Sequence, residues 1–294
     1  MELEKIITLA NEKVKLPFLA LERSLRATGC DLPLWVIPYD DTRFDLPQNA
    51  TWWEVPEVRQ LLREHHSHPM MAKYQCLTIA SYQYVDTDVI FLRNPARVLF
   101  GHEGFITSCT HWGNPYHTFT AESLKILRRI SSCWQTRVFS AGQFACDRPL
   151  YTFAELQDKC LNPLYKSTCL TFPYHDQPGL VLLVNLSGAP IHNLTLPPVS
   201  MESTWAGSYE EPDYEQLWID EARKPYLLHW SGCALADLPV NQLITNYLTT
   251  AERITWQQEI EEKRRQAARN RQSLRGRLRR LANASKAFVA ELGK

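Results

Sequence analysis

Asp86-Thr87-Asp88 sets two carboxylates one residue apart inside an apolar run, with Tyr84-Val85 before them and Val89-Ile90-Phe91-Leu92 after. Such a run reads as buried strand, where an unpaired charge is costly. In an extended segment residues i and i+2 share a face, so both carboxylates can address one point. A hard divalent cation, Mg²⁺ or Mn²⁺, takes oxygen ligands of this kind and often completes its shell with phosphate oxygens. The pair therefore points to a metal–diphosphate site, against the plainer alternative of a capped turn.

Three later stretches join it. Phe139-Ser140-Ala141-Gly142-Gln143-Phe144-Ala145-Cys146 brings a glycine into a strand-like run, either for close backbone approach or as a bulge. Tyr174-His175-Asp176-Gln177-Pro178-Gly179-Leu180 sets a carboxylate and an amide before the apolar run Val181–Asn185, which reads as a strand. Asx-turn chemistry before Pro178 is the alternative there. Tyr226-Leu227-Leu228-His229-Trp230-Ser231-Gly232 reads as an apolar strand ending in histidine.

Taken in this order, the motifs resemble those of GT-A fold glycosyltransferases, most of all the group around glycogenin and the bacterial sugar transferases of lipopolysaccharide synthesis. The resemblance covers roughly residues 5 to 235. It implies that Asp86 and Asp88 hold Mn²⁺ or Mg²⁺ against the diphosphate of a nucleotide sugar, with His229 as third protein ligand. It implies that Lys73, upstream of the carboxylate pair, touches a phosphate, where an exposed lysine is the alternative. Gly142 then approaches the donor sugar or acceptor, and Asp176 and Gln177 are the catalytic candidates beside the reacting sugar. Two departures stand out: Ser140 replaces the usual asparagine, and Cys233-Ala234-Leu235-Ala236 replaces a Lys-Pro-Trp clamp.

The elements that position these residues are legible from the start of the chain. Lys5–Asn11 reads as a strand, Leu16–Thr28 as a helix stopped at Gly29, and Leu34–Pro38 as a second strand. This β-α-β opening makes a parallel sheet with a right-handed crossover the default. Ligands of such sheets bind beyond the carboxyl ends of the strands. Asn11 after the first strand and Asp40 after the second are therefore candidates for holding the nucleoside, with helix capping the alternative for Asn11. Met71–Ala80 reads as a helix leading into the carboxylate strand, and Ala121–Ile130 as another helix. His65, His66 and His68 alternate in a polar stretch and read as solvated surface. The fold class is α/β: a GT-A, Rossmann-like, mostly parallel sheet flanked by helices, followed by a C-terminal basic amphipathic helix.

The 294 residues suffice for one α/β domain with an appendage, and residues 1–248 and 249–294 mark the division. The eight cysteines are scattered without a Cys-x-x-Cys, which argues against zinc or a disulfide scaffold and for free thiols in a reducing compartment. With no apolar run of membrane-spanning length and no signal-like start, the expected location is cytoplasmic or peripheral on the inner membrane surface.

Net charge is zero but unevenly spread. Residues 251–294 hold twelve basic and five acidic side chains, leaving twenty and twenty-seven for the rest. Leu274, Leu278, Leu281, Ser285, Phe288 and Leu292 form a stripe at helical spacing opposite a cationic face, interrupted by Gly276. Residues 254–294 are thus read as a contact with an anionic membrane surface, a self-association helix or a solvated helix. Nucleic acid is disfavoured, because no aromatic residues interleave the basic ones.

The functional expectation is transfer of a sugar from a nucleoside-diphosphate sugar, with a UDP-sugar the expected donor. The acceptor (saccharide, lipid-linked or protein) is left open. Two other classes compete: a nucleotidyltransferase, which needs a Gly-rich basic first turn that Ala10-Asn11-Glu12-Lys13 does not provide, and a non-catalytic scaffold acting through its tail.

Overall fold

A computed structural model describes residues 1–115, 119–171 and 176–272 of the chain. It divides into two compact units, Met1–Ala234 with Leu238–Tyr247, and Leu235–Asp237 with Leu248–Lys294. The first unit holds strands β1 (Lys5–Ala10), β2 (Leu34–Pro38), β3 (Ala50–Trp52), β4 (Tyr82–Val85), β5 (Val89–Phe91), β6 (Phe105–Thr107), β7 (Gln143–Cys146), β8 (Ile191–Asn193) and β9 (Leu227–His229). Its helices are α1 (Lys15–Ala27), α2 (Pro56–Glu64), α3 (Pro95–Val98), α4 (Ala121–Ile130), α5 (Phe153–Leu161), α6 (Lys166–Cys169), α7 (Gln177–Leu186) and α8 (Gln242–Asn246).

Seven strands form one sheet in the order β3-β2-β1-β4-β7-β6-β8. All pair in parallel except where β7 meets β4 and β6, so β7 alone is reversed. Strands β1, β2, β4 and β6 therefore end at one edge, and β7 begins there. Both faces of the sheet are covered, as parallel sheets require. Ile7, Leu9, Tyr82, Tyr84, Phe105 and Phe144 enter one core with residues of α2, α4 and α7. Ile6, Ala10, Val85, Ile106 and Ala145 enter the other, against Phe18, Leu21 and Leu25 of α1. Alternate residues of each strand thus feed opposite cores. Helix α1 stops where Gly29 takes a φ of 75°, a left-handed turn that a side chain disfavours.

The apolar run around Asp86 and Asp88 is two strands instead of one. Strand β4 belongs to the large sheet, whereas β5 leaves it and pairs antiparallel with β9, Val89 opposite His229. Two further expectations are corrected. Residues 181–185 lie in helix α7, not a strand. Its residues Gln177–Asn185 are all buried, so the run is apolar on every side and periodicity cannot separate it from a buried strand; Pro178 in the first turn favours the helix. Pro69–Thr78 is a 3-10 helix, opened by Pro69 and capped by the His68 side chain, which accepts from Met70 N.

In the second unit, α9 (Thr250–Gln272) is a polar helix on which no residue from 250 to 271 is buried. The expected apolar stripe, Leu274 to Leu292, lies outside the described residues. Among the described residues, no helix is long and apolar enough to cross a membrane.

Candidate active site

The reversed β7 is what assembles the site. Its first pair, Val85 with Gln143, carries the ladder one step further, so that Asp86 N donates to Gly142 O at 2.8 Å. Asp88 immediately precedes β5, whose Val89 pairs with His229, and the Asp88 carbonyl accepts from Trp230 N at 3.0 Å. His229 Nε2 lies 3.3 Å from Asp88 Oδ1 and 3.9 Å from Asp86 Oδ2. One ligand atom from each of Asp86, Asp88 and His229 lies within 4.8 Å of the others. Two carboxylates and an imidazole suit Mn²⁺ or Mg²⁺ as a partial shell.

Gly142 makes the room. A Cβ there would come 2.1 Å from His229 Cε1, 2.7 Å from its Nε2 and 2.8 Å from Asp86 Oδ2. The demand is for close approach to His229 and Asp86 and not for an unusual φ, so the glycine makes room for these side chains and is not a bulge.

Lys73 is fully buried, which removes the exposed-lysine alternative. Its Nζ lies 2.7 Å from Asp176 Oδ2 and 3.0 Å from Asp86 Oδ1, and it donates to Ala141 O at 3.1 Å. Burial alone would lower this ammonium's pKa, but the Asp176 and Asp86 carboxylates outweigh it and raise it above the ordinary lysine range. Lysine thus stays charged and joins Asp86 to Asp176.

Gln177, buried at the start of α7, accepts from Ala141 N through Oε1 at 3.3 Å. Gly142 N donates to Ser140 Oγ at 3.2 Å, and Ser140 N to Cys109 Sγ at 3.2 Å. The loop 140–142 is therefore held at successive backbone groups by Cys109, Ser140, Gln177, Lys73 and Asp86. Here Ser140 uses its hydroxyl on the loop itself, the place where the resemblance leads one to expect an asparagine facing sugar.

Asp88 and His229 act on each other's charge. Burial would raise the Asp88 carboxyl, but the facing imidazole lowers it below its usual value. Burial would likewise lower His229, and Asp88 raises it above the ordinary histidine range.

Asn11 and Asp40 form a second cluster at the same edge, on the ends of β1 and β2. Asn11 Nδ2 donates to Asp40 Oδ2 at 2.7 Å, and its Oδ1 accepts from Lys13 N at 3.2 Å. Asn11 therefore caps a short turn and engages Asp40 as well. Burial would raise the Asp40 carboxyl, but hydrogen bonds from Thr42 and Asn11 bring it below the usual range.

Two participants escaped the sequence reading. Tyr84 OH donates to Asp86 Oδ1 at 2.6 Å, an i to i+2 contact that strand alternation signals. His68 is half-buried, with its ring 6.1 Å from that of Tyr39. Burial lowers its pKa while the Asp176 charge opposes the shift, so it is not the solvated surface histidine expected.

Among solved structures, the chain is similar to the bifunctional glycosyltransferase WbbM in its apo form, with 13% identity and a TM-score of 0.51 over 84% of this chain and 52% of that one. It is also similar to the galactosyltransferase LgtC in complex with donor and acceptor sugar analogs, with 13% identity and a TM-score of 0.51 over 83% of this chain and 94% of that one. The chain thus spans about half the length of WbbM and nearly all of LgtC. These likenesses show a GT-A-like glycosyltransferase fold. No protein-family model and no curated protein matches the chain.

Proposed function

We propose that the chain is a metal-dependent glycosyltransferase acting on a nucleoside-diphosphate sugar, a UDP-sugar being the first donor to test. The reading rests on one observation: Asp86, Asp88 and His229 converge at the carboxyl edge of the sheet, around a space that a Cβ on Gly142 would fill. Asp86, Asp88 and His229 would hold Mn²⁺ or Mg²⁺. When bound, such an ion neutralises charge developing on the leaving nucleoside diphosphate.

The remaining roles belong to the chain itself. Lys73 fixes Asp86 and Asp176 in register. Asp176 and Gln177, beside the loop 140–142, face the transferred sugar in this reading, and Gly142 lets it approach. Asn11 orients Asp40, whose ionised carboxylate is an acceptor for ribose hydroxyls.

The test is binding and slow hydrolysis of UDP- and GDP-sugars with and without Mn²⁺, in wild type and in Asp88→Asn. Mn²⁺-dependent binding of one donor, lost in a folded Asp88→Asn protein, is the expected result. Donor binding that ignores both the ion and the substitution overturns the assignment. Absence of donor binding leaves the scaffold reading.

A further inference from the structure

Trp205 lies outside every motif considered so far, yet the fold places its backbone beside His229 of the candidate metal cluster. It forms a parallel bridge with His229, whose N donates to Thr204 O at 2.8 Å. Residues paired across strands send their side chains to the same face, so indole and imidazole leave the same side.

The indole is also held in place. Its Nε1 donates to Ser231 O at 2.9 Å, and its ring lies so close to Gly207 that a Cβ there would come within 2.4 Å of it. Despite these anchors, Trp205 remains 44% exposed. Tryptophan is ordinarily well buried. Here its one polar atom is satisfied and its edge is fixed, which leaves a rigid apolar face in water.

We propose that Trp205 is the stacking platform for an acceptor saccharide at the rim of the metal cluster; this rests on the glycosyltransferase reading above. The apolar C–H face of a pyranose matches a flat indole, and its hydroxyls stay at the periphery in water. A platform already immobilised loses little conformational freedom when the sugar docks. The flank also suits an acceptor. Strand β9 separates Trp205 from β5, and the donor sugar is assigned elsewhere, along Gly142, Asp176 and Gln177.

The experiment uses the full chain labelled with 5-fluorotryptophan, whose Trp205 ¹⁹F resonance is identified by its loss in Trp205→Phe. The probes are methyl β-D-galactopyranoside, methyl β-D-glucopyranoside and lactose, each added in the presence of UDP and Mn²⁺. At least one glycoside is expected to shift the Trp205 resonance saturably. Gly207→Ala keeps the indole but displaces its ring, and is expected to weaken that glycoside about fivefold, within the range of an aromatic contact. The proposal is overturned if none of the three probes moves the resonance, or if Gly207→Ala leaves the affinity unchanged. It is equally overturned if UDP alone produces the shift, which would make Trp205 a base-stacking residue. A Mn²⁺ titration of the same wild-type sample separates the two readings: no Mn²⁺ binding defeats the metal-dependent transferase, whereas the glycoside shifts judge Trp205 alone.

Discussion

Gly142→Ala replaces a hydrogen by a methyl group at the point where the proposed metal ligands converge. The new Cβ would stand 2.1 Å from His229 Cε1. Carbon atoms pack at roughly 3.5–4.0 Å, so about 1.5 Å of separation must be found. The glycine backbone cannot easily retreat, because its carbonyl accepts from Asp86 N and its N–H is held by Ser140 Oγ. The imidazole must yield instead, whereas metal sites tolerate displacements of only about 0.2 Å. Overpacking of this kind costs about 1–3 kcal/mol of stability, which a protein of this size can survive. Metal affinity should fall further, by about 10- to 100-fold, as when groups supporting a ligand are disturbed. The assay is Mn²⁺ titration followed by electron paramagnetic resonance, with urea unfolding of the same sample to show that it is folded. Wild-type Mn²⁺ affinity in folded Gly142→Ala would refute the reasoning, because the three side chains would then not be the ligands.

Lys73→Met should destabilise the fold by about 3–5 kcal/mol, read from urea unfolding, because Asp176 is left buried without its cation. Lys73→Met combined with Asp176→Leu should recover part of that loss, and a cost under about 1 kcal/mol for the single variant would show that the pair is not sealed from water. Asn11→Ala should raise the Asp40 pKa, measured by carboxyl-carbon NMR titration, since one of the hydrogen bonds that lower it is gone. With a folded pKa below the unfolded one, the stability that Asp40 contributes is present above its unfolded pKa and fades as pH falls through the folded value. Asn11→Ala should narrow that acid window, and an unmoved Asp40 titration counts against the coupling. Sedimentation with phosphatidylserine vesicles should pull down the full chain but not a chain ending at Leu248 if residues 254–294 contact anionic membrane. Equal behaviour of the two chains rejects that role.

Much of the fold was legible because strands buried on both faces announce themselves as apolar runs. Lys5–Ala10 and Leu34–Pro38 are of this kind, and the helix between them has a clear apolar stripe and a glycine stop. The same property misled at Val181–Asn185, because a helix buried on all sides lacks the periodic contrast that identifies a helix. Asp86 and Asp88 lie close together, as expected, but by a different route. They do not sit on one continuous strand; the chain changes sheets between them, and the β5–β9 pairing brings His229 to meet them.

The sequence was least informative where one charge must neutralise two others across long separations. Lys73 precedes Asp86 by thirteen residues, but its other partner, Asp176, lies just before helix α7, far along the chain. No local pattern marks that lysine as buried, and on composition alone burial is the rarer outcome. Its burial becomes intelligible only when the acids are in place. Asp86 and Asp176 would repel each other without a cation between them, and the loop carbonyl of Ala141 completes the ammonium's coordination. An internal lysine therefore fixes the spacing between the carboxylate expected to hold the ion and the carboxylate expected to face the sugar. Lys73→Arg is the discriminating substitution, since its charge is retained but its planar fork is not a spherical ammonium. If spacing matters beyond charge, Lys73→Arg will lower Mn²⁺ affinity in a folded protein; unchanged affinity would reduce Lys73 to a neutralising role.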